Sequence, residues 1–133
     1  MNPQESKRLR VLVTGSRSWT DIGEIREALR PYRSQGATLV HGDARGADRI
    51  AAGIWRAWGE RDEPHPADWE RHGRAAGFSR NQEMVDLGAD VCLAFIRDHS
   101  AGASHAAGVA TAAGIPVHRH ERTSHRAIER SRV

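Results

Sequence analysis

The chain has 133 residues, a formal net charge of +3, and 38% hydrophobic against 28% charged residues. This length fits one domain, and the composition is typical of a globular protein. The longest apolar run, residues 91–96, is far shorter than the roughly 20 residues that span a bilayer, and the N-terminus lacks an apolar signal core. The single cysteine, Cys92, excludes an internal disulfide and a cysteine-based zinc cluster. We therefore expect a cytoplasmic domain without membrane contact.

The excess positive charge lies at the two ends of the chain. Residues 1–10 carry a net charge of +2 and residues 118–133 carry +3, whereas residues 11–117 hold 12 basic and 14 acidic residues. Terminal arginine clusters are more typical of solubilising or subunit-contact tails than of binding sites. The sequence therefore argues against nucleic acid as a partner. It predicts basic tails at 1–9 and 119–133 around one domain at 10–118.

Strand-like and helical patterns alternate along the first half of the chain. In chain order they predict a strand at 9–14, a helix that begins after the N-cap Asp21 and ends at Pro31, a strand at 37–41 and a helix from about 47 to 59. Asp21 is followed three residues later by Glu24, as in a capping box. Each predicted strand stops at a glycine.

The second half continues the same alternation after a loop at 60–68, in which a short edge strand is one alternative. The pattern predicts a helix at 72–88 interrupted around 77–79, a buried strand at 89–96, a helix at 101–113 and a short strand at 115–118. This order indicates an α/β, Rossmann-like three-layer domain, with a parallel sheet of about five strands and helices on both faces.

Three turns that follow predicted strands carry glycines and polar residues: 14–21, 41–48 and 96–105. In parallel sheets, ligands bind outside the carboxyl ends of the strands, where the winding reverses. With the first strand central and the second and fourth as its neighbours, the three turns would converge on one crevice. Arg17 and Arg45 are suited to grip a phosphate or carboxylate there. Neither a dinucleotide fingerprint nor a P-loop is present.

Several other side chains allow both a functional and a structural interpretation. Trp19 and Trp69 lie in or near loops, where they could stack on a base. His41 either faces the crevice or is a hydrogen-bonded structural histidine, and Asp48 would brace the Arg45 loop rather than touch a ligand. No metal site is predicted: His118 and His120 share a metal-binding spacing, but no third ligand accompanies them.

Six segments, in this order, resemble the SLOG superfamily and, within it, the YspA/YpsA-related branch. They are GSRSWTD (15–21), HGDARGAD (41–48), HPADW (65–69), RNQEM (80–84), ADVCLAF (89–95) and AGIPV (113–117). The resemblance implies a Rossmann-like fold that binds a nucleotide or a derivative of the AMP or ADP-ribose type. No other cofactor is predicted. A sensory role and a homodimer are expected from the habit of the family.

Related phosphoribohydrolases in this superfamily release a base from a nucleoside monophosphate. Arg80 and Met84 match their R-x-x-x-M motif, so the resemblance implies a catalytic position for Arg80. Their glycine-rich motif ending in a catalytic Glu is altered here: residues 99–105 keep only Gly102 of its glycines. Depending on the register of the match, His105 or Ala106 falls at the Glu position. Because a carboxylate stabilises positive charge developing on the ribose, the sequence favours binding over hydrolysis.

The candidate site combines the three turns with the family motifs. The expected catalytic residues, should hydrolysis occur, are Arg80 and His105, with Asp43, Asp98 or Glu83 as carboxylates that neighbouring segments offer. The expected ligand-binding residues are Gly15, Ser16, Arg17, Gly42, Asp43, Arg45, Gly46, Asp68, Trp69, Asn81, Ser100, Gly102, Ala103 and Ser104. Hydrolysis of the N-glycosidic bond of a nucleotide is the alternative function. Association with nucleic acid is the further one.

Overall fold

The alternation of strand and helix patterns is reproduced in the folded chain. The computed structural model describes residues 8–124. The strands are β1 (Arg10–Gly15), β2 (Thr38–His41), β3 (Arg61–Pro64), β4 (Val91–Arg97) and β5 (Val117–Arg122). The helices are α1 (Ile22–Leu29), α2 (Ala47–Ala57), α3 (Trp69–His72), α4 (Ala76–Asp86) and α5 (Ala101–Ala112). Within the described range, no helix has the length and apolar character needed to cross a membrane.

All five strands pair in parallel in the order β3-β2-β1-β4-β5. The central strand β1 places Leu12 between Val40 of β2 and Cys92 of β4. The chain winds from β1 outward to β3 and then crosses to β4, so the winding reverses between β1 and β4. The predicted α/β sheet and the predicted neighbours of the first strand are therefore confirmed.

Alternating side chains of the sheet build two separate core layers. Val11 and Val13 of β1 face α1 and α2, where Ile25 and Trp55 are completely buried. The residue between them, Leu12, points to the opposite face and packs in a layer that α4 and α5 contribute to. Because successive side chains of a strand alternate between faces, one short apolar run serves both layers.

The first helix begins and ends as the sequence predicts. The Asp21 carboxylate caps α1 by accepting a hydrogen bond from the Glu24 backbone N–H at 3.0 Å. A 3₁₀ turn at Arg30–Tyr32 contains Pro31 and closes the helix. A capped start and a proline stop leave α1 just two turns long, which is enough to cover one side of β1.

The fourth helix is not interrupted where the sequence predicts. Residues 77–79 lie inside α4, and the break falls earlier, in a 3₁₀ turn at Gly73–Ala75. Gly73 adopts a positive φ of 55°, a conformation that glycine accepts without a side-chain penalty. Because α4 is continuous through residues 77–79, Phe78 and Arg80 lie on the same rigid helix.

The last strand differs from its predicted range. The sequence pattern predicts a strand at 115–118, whereas β5 begins at Val117 and continues to Arg122, four residues into the segment assigned to the basic tail. As an edge strand, β5 pairs only with β4, so it needs no continuous apolar pattern. The remainder of the predicted tails, at 1–7 and 125–133, lies outside the described residues.

The opposite edge strand, β3, is held by ion pairs rather than by apolar contacts. Asp62 accepts a hydrogen bond from the buried His41 ring at 2.8 Å and pairs with Arg56 at 2.6 Å. Hydrogen bonds from Arg56, and then from His41, lower the pKa of Asp62 to about 2. Glu63 accepts hydrogen bonds from Nη1 and Nη2 of Arg10, and these bonds lower the pKa of Glu63 to about 2. Both carboxylates thus stabilise the fold in their charged form.

Replacing Asp62 by alanine tests this arrangement. Asp62→Ala leaves the buried His41 N–H without its acceptor, so we expect a loss of about 1–3 kcal/mol in the free energy of unfolding. Urea denaturation followed by tryptophan fluorescence measures it. Glu27→Ala, which removes the exposed Glu27–Arg30 pair, is the matched control and should cost much less. Equal losses in the two variants would contradict a structural role for the His41–Asp62 pair.

Candidate functional site

A cavity of about 340 Å³, the main cavity, opens at the carboxyl ends of β1, β2 and β4. It is lined by Thr14, Gly15, Ser16, Arg17, Ser18, Ala44, Asp48, Trp69, Arg74, Gly77, Phe78, Arg80, Asn81, Ser100, Gly102 and Ala103. These residues come from the three turns and from the segment that leads through α3 into α4. The turns that the sequence predicts to converge therefore meet around one crevice, at the reversal of the winding.

Ser16 ties the turn after β1 to the turn after β4. Its backbone N–H donates to the Phe95 carbonyl at 2.8 Å, and its hydroxyl accepts from the Arg97 N–H at 2.7 Å. The same hydroxyl lies 2.7 Å from that of Ser100, the residue that precedes α5. The Ser16 side chain is thus engaged within the protein, and it fixes where α5 starts.

The N-terminus of α5 faces the main cavity through Gly102 and Ala103. The first intrahelical hydrogen bond of this end is donated by the Ser104 N–H to the Ser100 carbonyl, at 3.0 Å. The N–H groups before Ser104 have no partner within the helix, as at any helix start, and the helix dipole adds partial positive charge there. This end of the cavity is therefore suited to an anion.

Asp48 in the first turn of α2 braces the turn after β2. One carboxylate oxygen, Oδ2, accepts hydrogen bonds from the Gly42 N–H at 2.9 Å and from the Ala44 N–H at 3.4 Å. The side chain is buried, and burial raises the pKa of Asp48 to about 6, against the opposing charge of Arg80. The predicted bracing role of Asp48 is confirmed, and the residue also lines the cavity.

Because the pKa of Asp48 is raised, the free energy of unfolding should change with pH in a defined direction. Between its ordinary pKa of 3.8 and the folded value of about 6, the native state holds a proton that the unfolded chain has released. Stability from Asp48 therefore falls as pH rises through this window, by about 1.4 kcal/mol per pH unit. Between pH 4 and pH 7, urea denaturation should show Asp48→Asn gaining about 2–2.5 kcal/mol relative to the unmodified chain. A pH trend matching that of the exposed control Asp86→Asn would contradict it.

Arg80 of α4 reaches across the sheet edge and rests against Gly42. Its Nη1 donates to the Gly42 carbonyl at 2.6 Å, and its Nε donates to Asn81 Oδ1 at 2.9 Å. A Cβ at position 42 would overlap the guanidinium, so any other residue there would require the Arg80 side chain to move. Burial lowers the pKa of Arg80, and the positive charge of Arg17 lowers it further, against the attraction of Asp48. Two like charges therefore face the same cavity.

Two exposed aromatic rings stand at the rim of the main cavity. Trp69 is 52% exposed and Phe78 is 46% exposed, although both line the cavity. The guanidinium carbon of Arg17 lies 5.8 Å from the centroid of the Trp69 ring, and Phe78 stacks on His105 at 4.3 Å. Exposed aromatic surface at a cavity mouth offers flat apolar faces on which a planar ligand can stack.

A second cavity of about 510 Å³, the side cavity, adjoins the main one. It is lined by Arg17, Gly42, Asp43, Ala44, Arg45, Arg49, Pro66, Ala67, Trp69 and Arg80. Arg17, Trp69 and Arg80 line both cavities. Four of the lining residues are arginines and one is an aspartate, so the side cavity is also positively charged.

Comparison with known proteins shows the family of this chain. Residues 9–72 match the family described as "YAcAr: YspA, cpYpsA-related SLOG family". The chain is 52% identical over 118 residues to "Gene 61 protein" of Mycobacterium phage D29, covering 81% of this chain and 93% of the phage protein. This chain belongs to the YspA, cpYpsA-related SLOG family. No solved structure matches it.

The SLOG resemblance stated from the sequence is thus confirmed, and its predicted site residues divide into three groups. The main cavity is lined by Gly15, Ser16, Arg17, Trp69, Arg80, Asn81, Ser100, Gly102 and Ala103, and the side cavity by Gly42, Asp43 and Arg45 as well as Arg17, Trp69 and Arg80. Gly46, Asp68, Ser104 and His105 line neither. Roles for these residues in ligand binding or catalysis stay predictions.

Three of the four residues outside both cavities make contacts that serve the fold. Gly46 has a φ of 85° and approaches the Ser16 carbonyl too closely for a Cβ. Asp68 caps α3 by accepting from the Arg71 N–H at 3.0 Å. His105 lies behind the cavity wall, 3.2 Å from the Asn81 amide nitrogen and under the Phe78 ring.

Two further sequence interpretations are decided by burial. Trp19 is only 2% exposed, packs edge-on against Phe95 at 5.4 Å, and donates from its indole to the Asp21 carbonyl at 2.9 Å. The interpretation of Trp19 as a base-stacking residue is therefore wrong, since it belongs to the core. His41 is completely buried and accepts from the Asp43 N–H at 3.0 Å, which confirms the structural alternative.

Arg74, Phe78 and Asp48 line the main cavity without having been predicted as ligand contacts. The predicted helix interruption at 77–79 hid Phe78, because it placed this residue in a break rather than on a helical face. Asp48 is the single carboxylate among the lining residues of the main cavity. Of the carboxylates that the sequence offered, Asp43 lines the side cavity, whereas Asp98 accepts from the Ser124 N–H at 2.7 Å.

Proposed function

We propose that this SLOG-family protein binds a nucleotide or a nucleotide derivative of the AMP or ADP-ribose type in the main cavity. The observation that carries the proposal is the combination, around one cavity, of a free helix N-terminus, arginine side chains and exposed aromatic rings. A nucleotide has an anionic end and a flat aromatic end joined by a polar sugar. The cavity offers a matching group for each end.

The phosphate would lie at the N-terminus of α5. Backbone N–H groups around Gly102 and the hydroxyl groups of neighbouring serines can donate to phosphate oxygens. The lining arginines are Arg17, Arg74 and Arg80, and Asp48 is the opposing charge, so the cavity carries an excess of positive charge when all are ionised. Arg17 is exposed and uncommitted to a carboxylate in the described residues, which leaves its guanidinium available to a ligand.

The base would stack at the rim, on Trp69 or Phe78. Stacking on an aromatic side chain contributes about 1–3 kcal/mol per base and tolerates different bases. Both rings are half-exposed, so part of their apolar surface is in unfavourable contact with water. A planar ligand that covers the rings would remove this contact. This arrangement favours a base-containing ligand over an inorganic anion.

The side cavity would extend the site for a longer ligand. It shares Arg17, Trp69 and Arg80 with the main cavity and adds Arg45 and Arg49. A ligand of the ADP-ribose type carries a second phosphate and a second sugar, which could occupy this basic extension. AMP would fill the main cavity alone.

Arg17→Ala tests the phosphate end of the site. The variant should weaken AMP and ADP-ribose binding about ten- to hundredfold, because a charge-assisted hydrogen bond contributes about 1.5–3 kcal/mol. Isothermal titration calorimetry, with ligand-induced thermal stabilisation as a second readout, measures the loss. Arg26→Ala, at an exposed position of α1, is the matched control and should bind normally. If neither AMP nor ADP-ribose binds the unmodified protein, the proposed function is wrong.

Trp69→Ala tests the base end separately. AMP affinity should fall about five- to hundredfold, the equivalent of one lost stacking contact, whereas ribose 5-phosphate, which has no base, should bind the variant and the unmodified protein equally. Trp69→Phe retains a ring and should keep most of the affinity. Leu87→Ala removes another exposed apolar side chain away from the cavities and serves as the control. An equal effect of Trp69→Ala on both ligands would count against stacking.

A further inference from the structure

One oxygen of a buried carboxylate in the main cavity has no hydrogen-bond partner. Asp48 is 4% exposed, and while Oδ2 accepts from the turn after β2, Oδ1 accepts no hydrogen bond from any residue in 8–124. A buried acceptor without a donor costs free energy, so such atoms are rare in folded proteins. Because Asp48 lines the cavity, a ligand there can supply the missing donor.

Arg80 does not satisfy this oxygen. Its positive charge is near enough to favour ionised Asp48, yet its donors are directed to the Gly42 carbonyl and to Asn81 Oδ1. No salt bridge joins Asp48 to any described basic residue, Arg80 included. Arg80 therefore supports the negative charge on Asp48 and leaves one acceptor position unused.

We propose that Asp48 Oδ1 accepts a hydrogen bond from a ribose hydroxyl of the bound nucleotide, so that the site selects ribonucleotides over deoxyribonucleotides. This inference rests on the proposed function. A phosphate is the wrong partner for Asp48, because two anions repel each other. The base is assigned to the exposed rings at the rim. The sugar joins the two and carries hydroxyl donors.

The comparison of a ribonucleotide with its deoxy analogues tests this proposal. AMP, 2′-deoxy-AMP and 3′-deoxy-AMP differ only in the hydroxyl offered to Asp48. Removal of the contacting hydroxyl leaves the carboxylate oxygen unpaired again, so at least one analogue should bind the unmodified protein about ten- to hundredfold more weakly than AMP. Isothermal titration calorimetry at pH 7.5 measures the three affinities.

Asp48→Asn is the variant that isolates the free oxygen. Its amide oxygen can still accept from the Gly42 and Ala44 N–H groups, which places an NH₂ group where the unpaired oxygen was. A ribose hydroxyl can accept from this NH₂ group, but the bond is neutral and weaker than one to a carboxylate, so we expect the preference for AMP to fall to about threefold or less. Asp48→Glu, which displaces both oxygens by one methylene, is the second variant and should also reduce the preference. Asp86→Asn, at an exposed position of α4 outside both cavities, is the control and should keep it.

The possible outcomes separate the two proposals. Tight AMP binding with weaker binding of one analogue, a preference reduced in both Asp48 variants and kept in Asp86→Asn, supports the inference. Equal binding of AMP and both analogues by the unmodified protein overturns it while the proposed function stands. A preference of undiminished size in either folded Asp48 variant also overturns it. Failure of all three nucleotides to bind the unmodified protein overturns the proposed function itself.

Discussion

The hydrogen bonds of Ser16 are the interaction on which the site depends. Its N–H and hydroxyl join β1 to the end of β4, and its carbonyl accepts from the Ala47 N–H at 3.2 Å, where α2 starts. One residue thus fixes three turns that are far apart in the chain. Because it is 2% exposed, these bonds are made where water competes poorly. These hydrogen bonds fix the spacing of the three turns, and the cavity lies between the turns.

Much of this arrangement could be predicted from the sequence, because the strand order follows from local patterns and general rules of chain connection. Three predicted strands, each followed by a turn with glycine and polar residues, were enough to predict that these turns meet around one crevice. The predicted break at 77–79 was misplaced, because Gly73 and Gly77 are equally plausible helix breakers in a sequence and only the fold selects between them. The unpaired oxygen of Asp48 could not be predicted, since it depends on where Arg80 directs its donors.

The net charge of the chain does not predict the charge of the cavity, which depends on where individual residues lie in the fold. The net charge of +3 belongs to the chain ends, whereas the cavity gathers Arg17, Arg74 and Arg80 from a segment whose balance is slightly acidic. A few cations in a concave, partly dry site act on a ligand more strongly than many exposed cations on mobile side chains. The positive charge of the cavity therefore follows from where the fold places these arginines rather than from the total charge.

The packing of Arg80 on Gly42 has a consequence for how this sequence can diverge. The two positions are 38 residues apart, yet a side chain at one occupies the space of the other. A change at position 42 alone would displace the guanidinium and, with it, the charge that supports Asp48. The change would be accommodated either by a shift of this flexible side chain or by a shorter residue at position 80. Homologous chains should therefore vary at these two positions together, and a substituted glycine there would mark a site with different electrostatics.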